Sequence, residues 1–441
     1  MGPLILLAFT AWCGFALRFT PLALNLLMLF FPLEQVIQSA SDFFRNSVTG
    51  LRAVNYIVGL VTAISVGLAV AREPDRIAGT RTPGQIMVWS LYLWTIASCV
   101  WSPGAELAID ALSGTWPYLI LFLIFAPLMI RDLAELATAF RWALVACVAM
   151  SLVMLVSPEF TQRSGRLGLV IDSSAQGARS SPLAIGELGG LCILLAALAG
   201  GGGRNPGLTI LRLAAVGMGT TLAVLSGSRG QLIFAIAAVA IGIPISRPLK
   251  NTRNYLLVIG GLAVVIPLIL YVASIVAEGG SADMAKRWGA DSSESGSAVR
   301  AANVTFLLDS FMRSPLNWIQ GLGYYAFGAT NPYGEPYTHV LFVDMLCEEG
   351  FVGAALMTGI LVTCARSIAS LYRKTADRPE YRRTLGVLAT LIIYQVLLAN
   401  KQGNIGGSFA LFMLLILPGR LNRRAELGLD PSLPQAADGY Q

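Results

Sequence analysis

The chain holds a single histidine, His339, in Tyr337-Thr338-His339-Val340-Leu341, where a loop gives way to an apolar stretch. An imidazole titrates near neutrality and can take a proton from a hydroxyl at physiological pH. Three acids follow it inside an otherwise apolar run, LFVDMLCEEGFVGAAL: Asp344, Glu348 and Glu349. They could orient the histidine, bind a sugar, or cap a helix break ahead of Gly350. Arginines supply the second kind of chemistry. Arg229 lies in the tight turn Ser226-Gly227-Ser228-Arg229-Gly230 between two apolar runs, and Arg300 in Gly296-Ser297-Ala298-Val299-Arg300. Arg163, Arg166 and Arg179 share the segment that follows another apolar run. Guanidinium groups are planar forks of donors matched to phosphate oxygens, so several on one side of a membrane fit a diphosphate headgroup. A charge beside hydrocarbon is costly unless it meets an anion. For each arginine, snorkelling to lipid phosphate is the competing explanation.

The elements that must position these residues are membrane helices. The chain has 441 residues, 55% of them hydrophobic and only 13% charged, against roughly 25% charged in a soluble domain. The apolar residues come in runs of about 17–25, the length that crosses about 30 Å of hydrocarbon as a helix. They do not alternate as the strands of a barrel would. The expected fold is all-α and polytopic, with about twelve spans near 10–34, 51–70, 83–101, 115–130, 136–156, 183–200, 207–226, 230–245, 254–275, 351–371, 384–400 and 405–420. Arg18 interrupts the first, which could instead be a short hairpin.

Charge then orients the bundle. The formal net charge is +6, and the basic residues gather in alternate loops, holding Arg72, Arg76 and Arg81; Arg131; Arg204; Arg247, Lys250 and Arg253; Arg373, Lys374, Arg378, Arg382 and Arg383; and Arg420, Arg423 and Arg424. Those loops are expected to be cytoplasmic, so the excess reads as topology and not as a nucleic-acid surface. The loop 102–114 carries Glu106 and Asp110 but no Lys or Arg and belongs outside. Arg45 and Lys401 are mild exceptions on that side; 157–182, 226–230 and 276–338 are the arginine-bearing ones. The organisation expected is 1–275 as the first nine spans, 276–338 as an outer, periplasmic cap loop, 339–424 as the last three spans, and 425–441 as a disordered cytoplasmic tail. Aromatic and aliphatic residues such as Phe306, Phe311 and Trp318 make the cap a folded segment with short helices.

The six cysteines form no CxxC pair, so zinc and redox sites lack support. No Walker A loop, dinucleotide fingerprint, HExxH or DxD is present. No cofactor is expected.

Three places resemble the O-antigen ligase and polymerase superfamily, the Wzy-type polymerases and WaaL-type ligases. They are the turn Ser226-Gly227-Ser228-Arg229-Gly230, the segment from Arg300 through Ser314-Pro315 to Gly321-Leu322-Gly323, and the block from His339 to Gly353. That block is similar to the pattern His–(Asn/Ser)–x–x–Leu…Glu–x–Gly–x–x–Gly. Trp101-Ser102-Pro103 and Arg166-Leu167-Gly168 are weaker echoes. Val340 and Val343 depart from the pattern, at its Asn/Ser and its Leu. The resemblance implies a GT-C-like fold in a bacterial inner membrane, working on its periplasmic face. The donor would be a polyprenyl-diphosphate-linked glycan entering from the bilayer, and the acceptor a glycan or lipid A core. Arg229 and Arg300 would grip the diphosphate and His339 would assist the acceptor hydroxyl. Arg166 would be a further phosphate contact; Arg163, Arg179, Asp344 and Glu348 complete the expected substrate-binding set. Diphosphate is a good leaving group, and guanidiniums stabilise the charge that develops on it, so an inverting transfer needs neither ATP nor metal. Membrane lipids are the remaining expected partners. A transporter of lipid-linked sugars and a non-enzymatic scaffold are the other classes to weigh. A transporter predicts repeats and polar groups at the midplane, which the sequence does not offer.

Overall fold

A computed structural model describes residues 1–163, 165–170, 181–198, 206–246, 290–332 and 334–431, with positions 260 and 433. The chain is an all-α, multi-pass membrane protein. Seven of the described helices are long and apolar enough to cross a bilayer, or eight if a bent N-terminal pair counts as one span. The lipid-facing surface is written on the helices: Tyr56, Leu60, Ile64 and Leu68, one stripe of the helix Val48–Arg72, are 70%, 62%, 42% and 39% exposed. An apolar stripe that covers nothing in the protein belongs against hydrocarbon.

Two compact units divide the described chain. The first comprises residues 1–76, 129–292 and 375–394. Its spans are Val48–Arg72, Leu133–Val156, Pro206–Leu225 and Arg229–Ser246, and the last three pack on a shorter helix, Pro182–Leu198. That helix is apolar and buried on nearly every face, as a central helix must be. Small residues let its neighbour approach: a Cβ on Gly189 would come within 2.5 Å of the Gly219 carbonyl oxygen. Caps set where helices begin. Ser47 Oγ accepts from Gly50 N at 2.8 Å, and Asp132 Oδ1 from Glu135 N at 2.8 Å. Within this unit Arg76, 5% exposed, binds Glu73 at 2.8 Å and Glu135 at 2.7 Å, while Arg131 reaches Asp132 and Glu73. Two arginines read as topology markers are thus bound into a carboxylate network. Arg45, the mild exception to the orientation rule, is paired with Asp42 and Glu159.

The second unit comprises residues 77–128, 293–374 and 395–441. Pro83–Ser98 packs against Gly350–Lys374 and Phe409–Glu426, and the long helix Ala105–Met129 joins them. The short helices Pro315–Gln320, Ala326–Thr330 and Leu341–Glu348 follow a longer one, Ala290–Met312.

Several expectations need correction. The region 10–34 is not one helix but Gly2–Ala16, Thr20–Met28 and Phe30–Ala40, the last two bent by 84°. Arg18, exposed between helices, stops the first; Pro32 has no N–H for the Met28 carbonyl, so the chain breaks at Leu29. The expected loop 102–114 is largely helical, because the helix-forming run after Gly104 continues from Ala105 into the next span with Glu106 in its first turn. Pro83–Ser98 has 16 residues, short of a full crossing. Residues 425–431, expected in a disordered tail, are described, and Asp430 and Leu433 are buried. The two units interleave along the chain, since helices distant in sequence pack together. The expected span 254–275, Arg179 and the tail end 434–441 lie outside the described residues.

Candidate functional site

The site is built on the second unit, from a helix, a loop and a broken helix. Ala290–Met312 is anchored by Leu307 and Phe311, which form an apolar cluster with Phe327 of the loop and Cys347 of the broken helix. Arg300 lies on the same face as Leu307 and Phe311, at seven- and eleven-residue spacing, with Asn303 between. Asn303 is fully buried, and neither atom of its amide has a hydrogen-bond partner among the described residues.

His339 sits just before Leu341–Glu348 with φ 69°. A non-glycine residue rarely adopts this left-handed conformation, and such strain persists where the surroundings over-determine it. The surroundings are visible. Thr338 Oγ1 donates to Asp344 Oδ1 and accepts from Val340 N at 3.1 Å, so one buried hydroxyl clamps both neighbours of the histidine. The imidazole stacks edge-on against Tyr337, ring centroids 4.4 Å apart, and its Nε2 lies 3.5 Å from Glu335 Oε2. With 29% of its side chain exposed, it keeps one open approach. Burial holds its pKa below the ordinary 6.5; Glu335 opposes that shift and the Arg300 charge adds to it. The ring is therefore neutral at pH 7, able to accept a proton, and within the field of Arg300.

Val340 begins Leu341–Glu348 without a side chain that can cap it. The missing acceptor comes from elsewhere: Asn400 Oδ1 receives Phe342 N at 3.2 Å. Asn400, Asn303 and Glu335 are contributions that the sequence motifs did not signal.

The acids after His339 divide by role. Asp344, 4% exposed, acts through Thr338. Glu348 accepts from Phe327 N at 2.9 Å and Tyr325 N at 3.3 Å, capping Ala326–Thr330. It had been expected among the substrate contacts, yet both its oxygens serve the loop. Glu349 is 1% exposed. It faces Thr95 and Ser98, whose hydroxyl protons go to Leu91 and Thr95 carbonyls. Both its oxygens thus lack a well-formed hydrogen bond among the described residues. Burial pushes Glu349 up to about 8, with Glu348 adding to the shift; burial also raises Asp344 and Glu348. Three carboxyls in six residues are therefore shifted towards their protonated forms. Folded Glu349 keeps a proton that the unfolded chain releases near 4.5, so stability falls as pH rises from about 4.5 to about 8 and is level above. Glu349→Gln is expected to stabilise the protein at pH 8.5 by on the order of 3 kcal/mol and to change little at pH 4.5. Thermal midpoints at the two pH values test this. A Gln variant with an unchanged difference between them would remove Glu349 as the cause.

The motif segments of this unit meet. Leu322 N donates to Cys347 O and Gly323 N to Glu348 O, each at 2.9 Å. Gly323 lies against Ser102, and Tyr324 N donates to Ser98 Oγ at 3.0 Å. Trp94 Nε1 donates to Glu349 O at 2.9 Å and its ring lies 5.5 Å from Trp101. Trp101-Ser102-Pro103, Gly321-Leu322-Gly323 and the His339 block are therefore one packed structure.

The remaining expected residues belong to the first unit. Arg229 opens its helix after a turn in which Gly227 has φ 66°, and Ser226 and Ser228 are buried. Gln231 Nε2, one turn on, fixes this turn to Leu183 O at 2.7 Å. Arg163 and Arg166 are register partners in the antiparallel hairpin Phe160–Arg163/Arg166–Leu169, which packs on Pro182–Leu198; Arg166 is half-buried. Among the described residues no group of three His, Cys, Asp or Glu side chains is placed to share a metal ion. No known protein family and no characterised protein matches this chain.

Proposed function

We propose that the chain is a membrane glycosyltransferase of the O-antigen ligase and polymerase superfamily, with a GT-C-like bundle of about twelve spans in a bacterial inner membrane. The reading rests on one observation: a neutral, partly exposed His339 held in a left-handed backbone conformation within the field of Arg300.

The chemistry follows from those groups. The acceptor hydroxyl gives its proton to His339 as its oxygen bonds to the anomeric carbon. The bond from that carbon to the polyprenyl diphosphate breaks, and the electron pair leaves on phosphate, where Arg300 stabilises it. Attack from the face opposite the leaving group inverts the anomeric centre. Arg229 is assigned to the same diphosphate by the Ser-Gly-Ser-Arg-Gly resemblance alone.

The test is transfer by the purified full-length protein in liposomes, given a synthetic polyprenyl-diphosphate-linked oligosaccharide and no nucleotide. A longer lipid-linked chain with an inverted linkage identifies a polymerase, the reading favoured here. Product on added lipid A core identifies a ligase. Donor that crosses the bilayer unconsumed would overturn the transferase reading in favour of a transporter.

A further inference from the structure

A cation-bearing cavity lies in the first unit, and the transfer chemistry makes no use of it. It has a volume of about 260 Å³ and opens between the N-terminal parts of Leu133–Val156 and Pro379–Gln402, with Leu198 at one wall. Thr138 and Arg141 line it from the first helix; Glu380, Tyr381, Arg383 and Thr384 line it from the second. On each helix the lining positions recur at three- and four-residue spacing, so each side is one helix face.

We infer that this cavity binds the phosphate of an anionic phospholipid headgroup. Three features point there together. Among the described residues the lining holds two guanidiniums and one carboxylate, a cationic excess that suits a phosphodiester. Every lining position but Leu198 lies in the first three turns of one of the two helices, so the cavity sits at the same end of both. Arg141 stands about 12 Å along an apolar span, a depth at which an arginine needs an anion. The end of the unit at which the cavity opens also carries Arg378 and Arg382, just before and within the second helix, matching the basic side that meets anionic lipid. The cavity is smaller than the ~300–1,000 Å³ of ordinary small-molecule pockets. It holds a headgroup, and the acyl chains remain in the bilayer. Hydroxyls of Tyr381, Thr138 and Thr384 can serve the glycerol end of that headgroup.

The experiment uses the full-length protein purified in a neutral detergent. Its thermal midpoint is followed against added phosphatidylglycerol, phosphatidylcholine or inorganic phosphate, and retained lipid is counted by native mass spectrometry. Phosphatidylglycerol is expected to raise the midpoint and remain bound, while phosphatidylcholine does neither. Arg141→Gln is expected to weaken the phosphatidylglycerol response on the order of tenfold, with Arg141→Lys intermediate. Should Arg141→Gln fold poorly, Arg383→Gln and the lipid count on Arg141→Lys give the same reading. An equal shift from inorganic phosphate would keep the anion site and overturn the lipid as its source. Equal responses to the two lipids, or Gln variants that retain phosphatidylglycerol fully, would overturn the site itself.

Discussion

Replacing His339 with Ala is expected to lower glycan transfer by about 100- to 10,000-fold, the range of a lost general base, with little loss of folded protein. The side chain is 29% exposed, and its contacts are an edge-on stack with Tyr337 and a long pairing with Glu335. Neither carries much of the fold. The pH profile separates a base from a passive contact. Burial keeps the His339 pKa below 6.5, so the neutral form persists to acid, and transfer should hold through pH 7 and fall only below about pH 6.5. The sign is fixed: the base works unprotonated, and protonation removes it. Arg300→Ala is expected to lower transfer by about 100-fold or more through lost stabilisation of the leaving phosphate, and Arg300→Lys to recover part of it, since charge returns without the planar fork. Transfer by His339→Ala within threefold of the parent protein would leave the imidazole without a role in the reaction.

How much of this was legible in the sequence depends on the range of the interaction. The membrane class and the spans near 136–156, 207–226, 230–245, 351–371 and 384–400 were readable, because apolar run length is a short-range signal. The N-terminal break was hidden because Pro32 acts one turn before itself, on the Met28 carbonyl, inside an apolar run. Residues 105–114 were read as an outer loop because they carry acids and no Lys or Arg, although acids in a first turn favour a helix. Glu348 looked like a ligand because a carboxylate in an apolar run has no local partner. Its partners, Tyr325 N and Phe327 N, are more than twenty residues away. Asn400 is the clearest case. Val340 departs from the resembled pattern at a position where Asn or Ser would cap the next helix, and the cap is restored from 58 residues downstream. A pattern tied to local spacing cannot show that exchange.

Gly350→Ala is expected to have the largest effect on the fold itself. Gly350 has φ +69°, and a Cβ there would collide with the Ile319 carbonyl and stand 2.5 Å from Gly321 N. Gly321, at φ +79°, is the reciprocal partner: its own Cβ would meet the Glu348 carbonyl. The two glycines press backbone against backbone where the short helix Leu341–Glu348 turns into the span Gly350–Lys374. Atoms of the main chain cannot move aside as a flexible side chain can. That contact also aligns the Leu322 and Gly323 amides with the Cys347 and Glu348 carbonyls, so it sets the angle of the helix that His339 introduces. A left-handed alanine costs about 1–2 kcal/mol, and the backbone collision should take the total past about 4 kcal/mol. Gly334→Ala is the control: φ is +74°, but nothing lies within 4 Å of the added methyl, so only the conformational cost of about 1–2 kcal/mol applies. Thermal unfolding of the purified variants should therefore lower the midpoint several-fold more for Gly350→Ala than for Gly334→Ala, with transfer lost in the former alone. Equal shifts in the two would mean that the crossing of Gly321 and Gly350 does not hold the site in place.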